Sequence, residues 1–162
     1  LAQHFGGLDL MISGAAKKIP GDILEVSSED FLSLLKINAL GLWNVAKASL
    51  PYLMKTDGIL INICSGTSEA LPPDNDAYFG SKGTSYSLTH SLGSTFREKG
   101  VRVMGIAPGP VDTPLWRTGQ PEDSIRLALA GQKGPEVLKA EDIGQMILKL
   151  ASRNNQEKTG KI

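Results

Sequence analysis

The stretch GILINICS, from Gly58 to Ser65, is a run of apolar and β-branched residues between a glycine and a polar loop. This composition is typical of a strand buried on both faces, and such strands belong to parallel sheets covered by helices on each side. Two other runs have the same character, LDLMISGAA from Leu8 to Ala16 and VRVMGIAPG from Val101 to Gly109. We therefore expect three buried strands.

Helical patterns lie between these strands. A serine capping signal near residue 27, followed by apolar residues at helical spacing, predicts a long helix that ends near Pro51. A second helix is predicted from about Ala77 to Lys99, closed by Gly100. Two shorter helices are predicted at residues 123–130 and 141–152. This order of elements predicts an α/β fold: a doubly wound, Rossmann-like parallel sheet in three α/β/α layers.

Composition excludes several classes of protein. The 162 residues suffice for one domain, which we expect to cover residues 1–162. Lysine plus arginine equals aspartate plus glutamate, 17 each, so there is no basic surface for nucleic acid. Apolar runs are too short for a membrane span. The single cysteine, Cys64, fits a reducing compartment, and we expect a cytoplasmic protein.

Parallel sheets of this kind bind ligands at the carboxyl ends of their strands. Unusual residues of this chain stand at those positions: Gly14 to Ala16 after the first strand, Ser65 after the second, and Pro108 to Thr113 after the third. We expect the three strand ends to line one crevice.

The segment DAYFGSKG, Asp76 to Gly83, places a phenol and an ammonium four residues apart. On a helix, Tyr78 and Lys82 share a face and can reach one small molecule. A nearby ammonium stabilises a phenolate, which would bring the tyrosine pKa down toward neutrality and allow proton exchange with a substrate oxygen. Alone, this pair is also compatible with an ordinary solvated helix face.

Two more residues complete a pattern. Ser65 precedes Tyr78 by thirteen residues, and Asn38 precedes Ser65 by twenty-seven. With APGPVDTPL at the end of the third strand, the sequence resembles the short-chain dehydrogenase/reductase family, which uses an Asn, Ser, Tyr, Lys tetrad at these spacings. The resemblance runs from about Leu8 to Gly160. It implies an oxidoreductase that transfers a hydride between NAD or NADP and a carbonyl or secondary alcohol.

The resemblance implies a role for each tetrad residue. Tyr78 would be the general acid or base, and Ser65 would hydrogen-bond the same substrate oxygen. Lys82 would lower the pKa of Tyr78 and bind the nicotinamide ribose. Asn38 would hold a water that passes protons from Lys82 to solvent.

Cofactor and substrate positions follow from the same resemblance. The backbone of Gly14, Ala15 and Ala16 would approach the adenine ribose, while Thr113 and the backbone near Val111 would hold the nicotinamide carboxamide. Pro108 and Gly109 end the strand beside the cofactor. Further cofactor contacts would come from Tyr78 and Lys82. The substrate would meet Ser65, Leu115 and Trp116, and its class stays open among acyl-thioester ketones, sugars and steroids. Arg117 and Arg126 are candidates for an anionic substrate. No metal site is expected, because neither His4 nor His90 has suitable partners in the sequence.

Two features depart from the family pattern. Members usually carry Asn-Asn-Ala-Gly where this chain has Ser13 to Ala16, and a glycine in place of an asparagine is expected to loosen that region. The glycine-rich phosphate-binding turn is missing, and the chain opens on Leu1, so we interpret it as a piece of a longer protein. EKTGKI at the other end is interpreted as the entry to one more strand. As an isolated polypeptide the piece is expected to be inactive.

The sequence is compatible with two other functions and predicts an oligomer. A non-catalytic binding or regulatory protein could keep the fold. A serine hydrolase fits poorly, because ICSGT lacks the first glycine of the G-x-S-x-G elbow. The two long helices resemble those that pair across a two-fold axis in the family, so a homodimer or homotetramer is expected.

Overall fold

The computed structural model describes residues 2–66, 72–152 and 159–162. Its strands are β1 (Leu10–Ser13), β2 (Ile59–Ile63) and β3 (Arg102–Ile106). Its α-helices are α1 (Ala2–Phe5), α2 (Ser28–Leu35), α3 (Leu42–Leu53), α4 (Asp76–Phe96), α5 (Pro114–Arg117), α6 (Glu122–Leu129) and α7 (Ala140–Ala151). A π-helical segment, Lys36–Gly41, joins α2 to α3, and a 3₁₀ turn, Arg97–Lys99, follows α4.

The three strands form one parallel sheet in the order β1-β2-β3. In its register Ser13 pairs with Asn62, and Asn62 pairs with Gly105, so the strands end at the same edge. Gly58 directly precedes β2, the central strand. It has no room for a side chain, because a Cβ there would lie 2.8 Å from the carbonyl oxygen of Asp9. The predicted parallel α/β fold is confirmed.

Alternate residues of β2 point to opposite faces of the sheet, and each face has its own core. On one face Leu60 packs with residues of α3, with β3 and with the residue just before β3, namely Ala46, Leu50, Leu53, Val101 and Val103. On the other face Ile59 and Ile61 join Met104 and Ile106, against which α7 packs with Ile147 and Leu150. Helices therefore cover both faces, which gives the three layers expected from the sequence.

The long first helix begins and ends close to the predicted positions. Ser27 caps α2, its hydroxyl accepting a hydrogen bond from the backbone N–H of Asp30 at 3.1 Å. Helical structure continues through α3 to Leu53, two residues beyond Pro51, so the helix ends near Pro51 as predicted. The sequence did not predict the π-helical segment, a feature that often marks functional sites. As predicted, Gly100 closes the α4 region in the left-handed conformation, at φ 79°.

The last residues run beside β3. The N–H of Gly160 donates to the carbonyl of Val103 at 2.6 Å, and the N–H of Gly105 donates to the carbonyl of Lys161 at 2.8 Å. These bonds agree with the interpretation of EKTGKI as the entry to another strand, although its first two residues lie outside the described part of the chain. Part of the polar loop predicted after β2, residues 67–71, lies outside it as well.

Gly93 allows this last segment to approach α4. A Cβ at position 93 would lie 2.3 Å from the Cα of Gly160, which is backbone and cannot move aside as a flexible side chain would. We expect Gly93→Ala to destabilise the protein by about 1–3 kcal/mol, the usual cost of overpacking. Denaturant unfolding measures the change.

Gly83→Ala is the matched control for this prediction. Gly83 lies in the same helix with nothing within 4 Å of the position its Cβ would take, so alanine should stabilise α4 by up to about 1 kcal/mol. If the two variants unfolded at the same denaturant concentration, the close approach of Gly160 to Gly93 would make no difference to the free energy of unfolding.

Candidate active site

The edge where the strands end carries the predicted proton-transfer residues. Ser65 follows β2 by two residues, and Tyr78 and Lys82 lie one turn apart near the start of α4. The side chain of Ser65 lies close enough to the Tyr78 phenol to influence its pKa. Two neighbouring hydroxyls of this kind can both reach one substrate oxygen.

The pKa of Tyr78 departs from the sequence-based expectation. Burial raises it above its ordinary value, because a phenolate is poorly solvated at this half-buried position, and the neighbouring Ser65 side chain lowers it only in part. Tyr78 is therefore a protonated phenol at neutral pH. The pKa of Tyr78 is thus raised and not lowered, and Lys82 is not among the causes of its shift.

Lys82 is a buried cation, with 5% of its surface exposed. Its Nζ donates to the carbonyl oxygen of Ile63 at 2.7 Å, which fixes the ammonium at the end of β2. Burial lowers the pKa of Lys82, while the neighbouring Cys64 partly opposes that shift. Burial in turn raises the pKa of the Cys64 thiol, which is 2% exposed, so the reactive thiolate form is disfavoured.

Asn38 lies in the π-helical segment and is 3% exposed. Its Oδ1 accepts from the backbone N–H of Lys17 at 2.8 Å, and its Nδ2 donates to the carbonyl of Lys17 at 2.9 Å and to Ser81 Oγ at 2.8 Å. These bonds tie down the loop that follows β1. The loosening expected from glycine at position 14 is thus countered three residues further along the chain.

Several of the positions predicted to hold a cofactor are exposed beside the site. Gly14 and Ala15 are exposed after β1, and Gly109 after β3 has nothing within 4 Å of the position its Cβ would take. Gly66 N–H donates to the carbonyl of Pro108 at 3.1 Å, which joins the ends of β2 and β3. Small residues around an open edge fit close approach of a dinucleotide to the backbone.

Thr113 has a structural role in addition to its predicted one. Its hydroxyl accepts from the backbone N–H of Trp116 at 3.2 Å, which caps α5, and donates to the carbonyl of Val111 at 3.2 Å. Val111 itself forms a parallel bridge with Leu138. The loop predicted to hold the carboxamide is therefore fixed at both sides by backbone hydrogen bonds.

The predicted substrate residues Leu115 and Trp116 are half-buried on the short helix α5. Arg117 on the same helix makes a two-point ion pair with Asp112, at 2.7 and 2.9 Å, and its proximity lowers the pKa of that carboxyl. Arg126 pairs with Asp123 at 3.2 Å. Both arginines have carboxylate partners in their own segment, and the expectation that they meet an anionic substrate stays a prediction.

The segment after β3 also touches the loop after β1. Lys18 Nζ donates to the carbonyl of Thr118 at 3.1 Å, and a Cβ at Gly119 would lie 2.5 Å from the ring of Pro20. Partial burial lowers the pKa of Lys18. Sequence reasoning did not predict this contact, because nothing in either loop signals a partner so distant along the chain.

Sequence reasoning also did not predict Ser81 and Lys17 as parts of the site. Ser81 is fully buried between Tyr78 and Lys82, and Lys17 contributes only its backbone to the Asn38 bonds. Within residues 2–66, 72–152 and 159–162, no three His, Cys, Asp or Glu side chains are grouped as a metal site would require. Across the same residues, the helices are too short or too polar to span a bilayer.

The chain is similar to known proteins in both sequence and fold. A family described as enoyl-(acyl carrier protein) reductase matches residues 1–162. The uncharacterized oxidoreductase YhdF of Bacillus subtilis is 34% identical over 125 residues, which cover 76% of this chain and 43% of that protein. Mouse L-fucose dehydrogenase is 37% identical over 120 residues, covering 70% of this chain and 42% of the relative. Among solved structures, ElxO with NADP bound has a TM-score of 0.84 at 26% identity, covering 99% of this chain and 66% of ElxO.

With the parallel sheet and the Ser65, Tyr78 and Lys82 cluster at its edge, these matches establish that the chain belongs to the short-chain dehydrogenase/reductase family. Its relatives are named as oxidoreductases and dehydrogenases. The chain spans about half the length of the curated relatives it matches, from 43% to 54% for three of them.

Proposed function

We propose that the protein is an NAD- or NADP-dependent oxidoreductase that interconverts a carbonyl compound and a secondary alcohol. The observation that carries this proposal is the placement of Ser65 beside the Tyr78 phenol at the end of β2, where the Lys82 ammonium, one helical turn further on, is held by the carbonyl of Ile63. Membership of the family supports it, as does the NADP bound by the structurally similar ElxO. The bound nicotinamide would supply or accept the hydride.

The chain's own residues account for the proton and for orientation. Tyr78 is protonated at neutral pH and would give its phenolic proton to a carbonyl oxygen as that oxygen gains charge. Ser65 would donate a hydrogen bond to the same oxygen, which stabilises the developing charge. In the reverse direction Tyr78 would take the proton back from the alcohol.

Lys82 would act through its position. An ammonium has three N–H donors, and the carbonyl of Ile63 takes one of them, which holds the Nζ at the end of β2. We propose that its remaining donors bind the ribose hydroxyls beside the nicotinamide. Thr113 and the backbone at Val111 would hold the carboxamide, and Gly14 to Ala16 with Pro108 and Gly109 would line the rest of the cofactor.

The hydrogen bonds of Asn38 bear on which of its atoms would bind the water of the proton path. The side-chain amide of Asn38 is hydrogen-bonded to Lys17 and Ser81, and its backbone carbonyl accepts from the Ser85 hydroxyl at 3.5 Å. We propose that the amide holds the residue in place and that the carbonyl, through its second lone pair, binds the water.

The substrate would lie against Leu115 and Trp116, next to Ser65. Since Arg117 is paired with Asp112, a neutral carbonyl compound fits this surface better than an anionic one. For the whole protein we propose one catalytic domain that includes residues 1–162 and acts in the cytoplasm, consistent with its reduced, buried Cys64.

The function is tested with the complete gene product that contains this chain. Mixed with NADH or NADPH and a panel of ketones and aldehydes, it should oxidise one of the two cofactors, which absorbance follows directly. The alternative of a non-catalytic binding protein, suggested by Ser13 to Ala16, predicts cofactor binding by fluorescence without turnover of any compound. That result would reject the enzyme.

We also propose a homo-oligomer that pairs through α2 and α3. Apolar side chains stay exposed on α2, α3 and the π-helical segment between them, among them Leu32 at 56%, Leu40 at 51% and Trp43 at 51%. A large aromatic at the centre of such a surface is a typical hot spot, worth about 2 kcal/mol or more. We expect Trp43→Glu to raise the dimer dissociation constant by roughly 30-fold or more.

Light scattering on the complete protein measures the mass of the oligomer, which falls when the dimer dissociates. Leu148→Glu is the matched control, because Leu148 is 65% exposed on α7, away from the proposed interface, and should leave the oligomer intact. A Trp43→Glu protein with the mass of the wild type would show that this surface does not pair.

A further inference from the structure

Ser81 lies at the junction of the proposed catalytic residues. It stands between Tyr78 and Lys82 on α4 and is completely buried. Its hydroxyl donates to the carbonyl oxygen of Tyr78 at 2.7 Å and accepts from Asn38 Nδ2 at 2.8 Å. One hydroxyl thus connects the backbone of the proposed proton donor with the side chain of Asn38.

The connection continues into the loop after β1. Asn38 grips the backbone of Lys17 through both its N–H and its carbonyl, at 2.8 and 2.9 Å. A short chain of hydrogen bonds therefore runs from Lys17 through Asn38 and Ser81 to Tyr78. Its members come from three separate segments of the chain, and buried hydrogen bonds of this kind hold their groups in one arrangement because an unpaired partner would be costly.

We propose that Ser81 is a positioning residue, which sets Tyr78 relative to the loop after β1 by way of Asn38. This inference rests on the proposed function, in which that loop borders the cofactor and Tyr78 transfers the proton. Without the Ser81 hydroxyl, Asn38 Nδ2 loses an acceptor and α4 loses its link to the loop through Asn38, while the bond from the Ile23 N–H to Asp76 at the start of α4 remains. Tyr78 would still carry its phenolic proton, but it would no longer be held in position to transfer it.

Ser49 provides a matched control. It is also a buried helical serine, 4% exposed on α3, and its hydroxyl donates to the carbonyl of Val45 at 2.8 Å. Ser49→Ala therefore removes a comparable bond between a hydroxyl and the preceding helical turn, while it touches none of the tetrad residues. The two alanine variants differ in the link to Asn38.

The kinetic test uses the complete protein. Ser81→Ala should lower kcat by about 10-fold to 100-fold, the scale of a small misplacement of a reacting group, with KM for cofactor and substrate within about twofold. Ser49→Ala should stay within about twofold of wild type in both constants. In a Tyr78→Phe background, Ser81→Ala should cause no further loss. A loss in kcat of less than about fivefold, or an equal loss in both backgrounds, overturns the proposal.

A second readout does not depend on activity. The N–H of Lys17 is bonded to Asn38, so Ser81→Ala should accelerate its hydrogen exchange at least about tenfold, and Ser49→Ala should not. If the wild type shows no turnover, the proposed function fails, and exchange alone decides whether Ser81 holds Asn38. Unchanged protection at Lys17 overturns that link. Should Ser81→Ala fail to fold, Ser81→Cys is read by the same criteria, because a thiol of similar size is a weak acceptor.

Discussion

Replacing Tyr78 with phenylalanine is expected to lower hydride transfer by the complete protein at least about 100-fold, the usual minimum contribution of a general acid or base. The substitution removes only the hydroxyl, which lies near Ser65, and keeps the ring packed against Phe79, whose ring centroid is 5.3 Å away. The site should therefore stay folded, and cofactor affinity should stay within about threefold. Cofactor absorbance measures turnover, and fluorescence titration measures binding.

Tyr86→Phe is the control for this variant. Tyr86 lies two turns further along α4 and has no proposed part in the chemistry, so loss of its hydroxyl should leave kcat within about twofold of wild type. Retention of more than about a tenth of wild-type turnover by Tyr78→Phe would exclude Tyr78 as the proton donor, since no general acid of ordinary strength contributes so little.

Replacing Lys82 with methionine is expected to impair both turnover and cofactor binding. Methionine has a similar length but no charge, so it removes the bond to Ile63 and the donors proposed for the ribose. A hydrogen bond to a charged group is worth about 1.5–3 kcal/mol, which corresponds to a cofactor dissociation constant raised roughly 10-fold to 100-fold. Turnover should fall at least as far.

Lys47→Met separates this effect from the loss of a positive charge in general. Lys47 is exposed on α3, and its replacement should change neither constant by more than about twofold. If Lys82→Met bound the cofactor as tightly as the wild type, Lys82 would have no part in holding it. The contrast with Tyr78→Phe, which should lose turnover alone, distinguishes the two proposed roles.

The sequence by itself determined the elements of the fold and their order. Buried β-branched runs such as Gly58 to Ser65 can be read locally, because a strand covered on both faces requires apolar residues throughout. Gly100 ends its helical region as predicted, since the left-handed conformation favours glycine. The spacing of Asn38, Ser65, Tyr78 and Lys82 also led to the family, because each residue stands at a fixed place on such an element.

Only the tertiary structure decided the environment of those residues. Burial raises the pKa of Tyr78 although a lysine lies one turn away, and desolvation depends on the surrounding fold, which no four-residue pattern contains. Arg117 is paired with Asp112, and the Asn38 amide is occupied by Lys17 and Ser81. The bonds from Asn38 join segments 21 and 43 residues apart, so the sequence determined which groups are present and three-dimensional packing determined which of them meet.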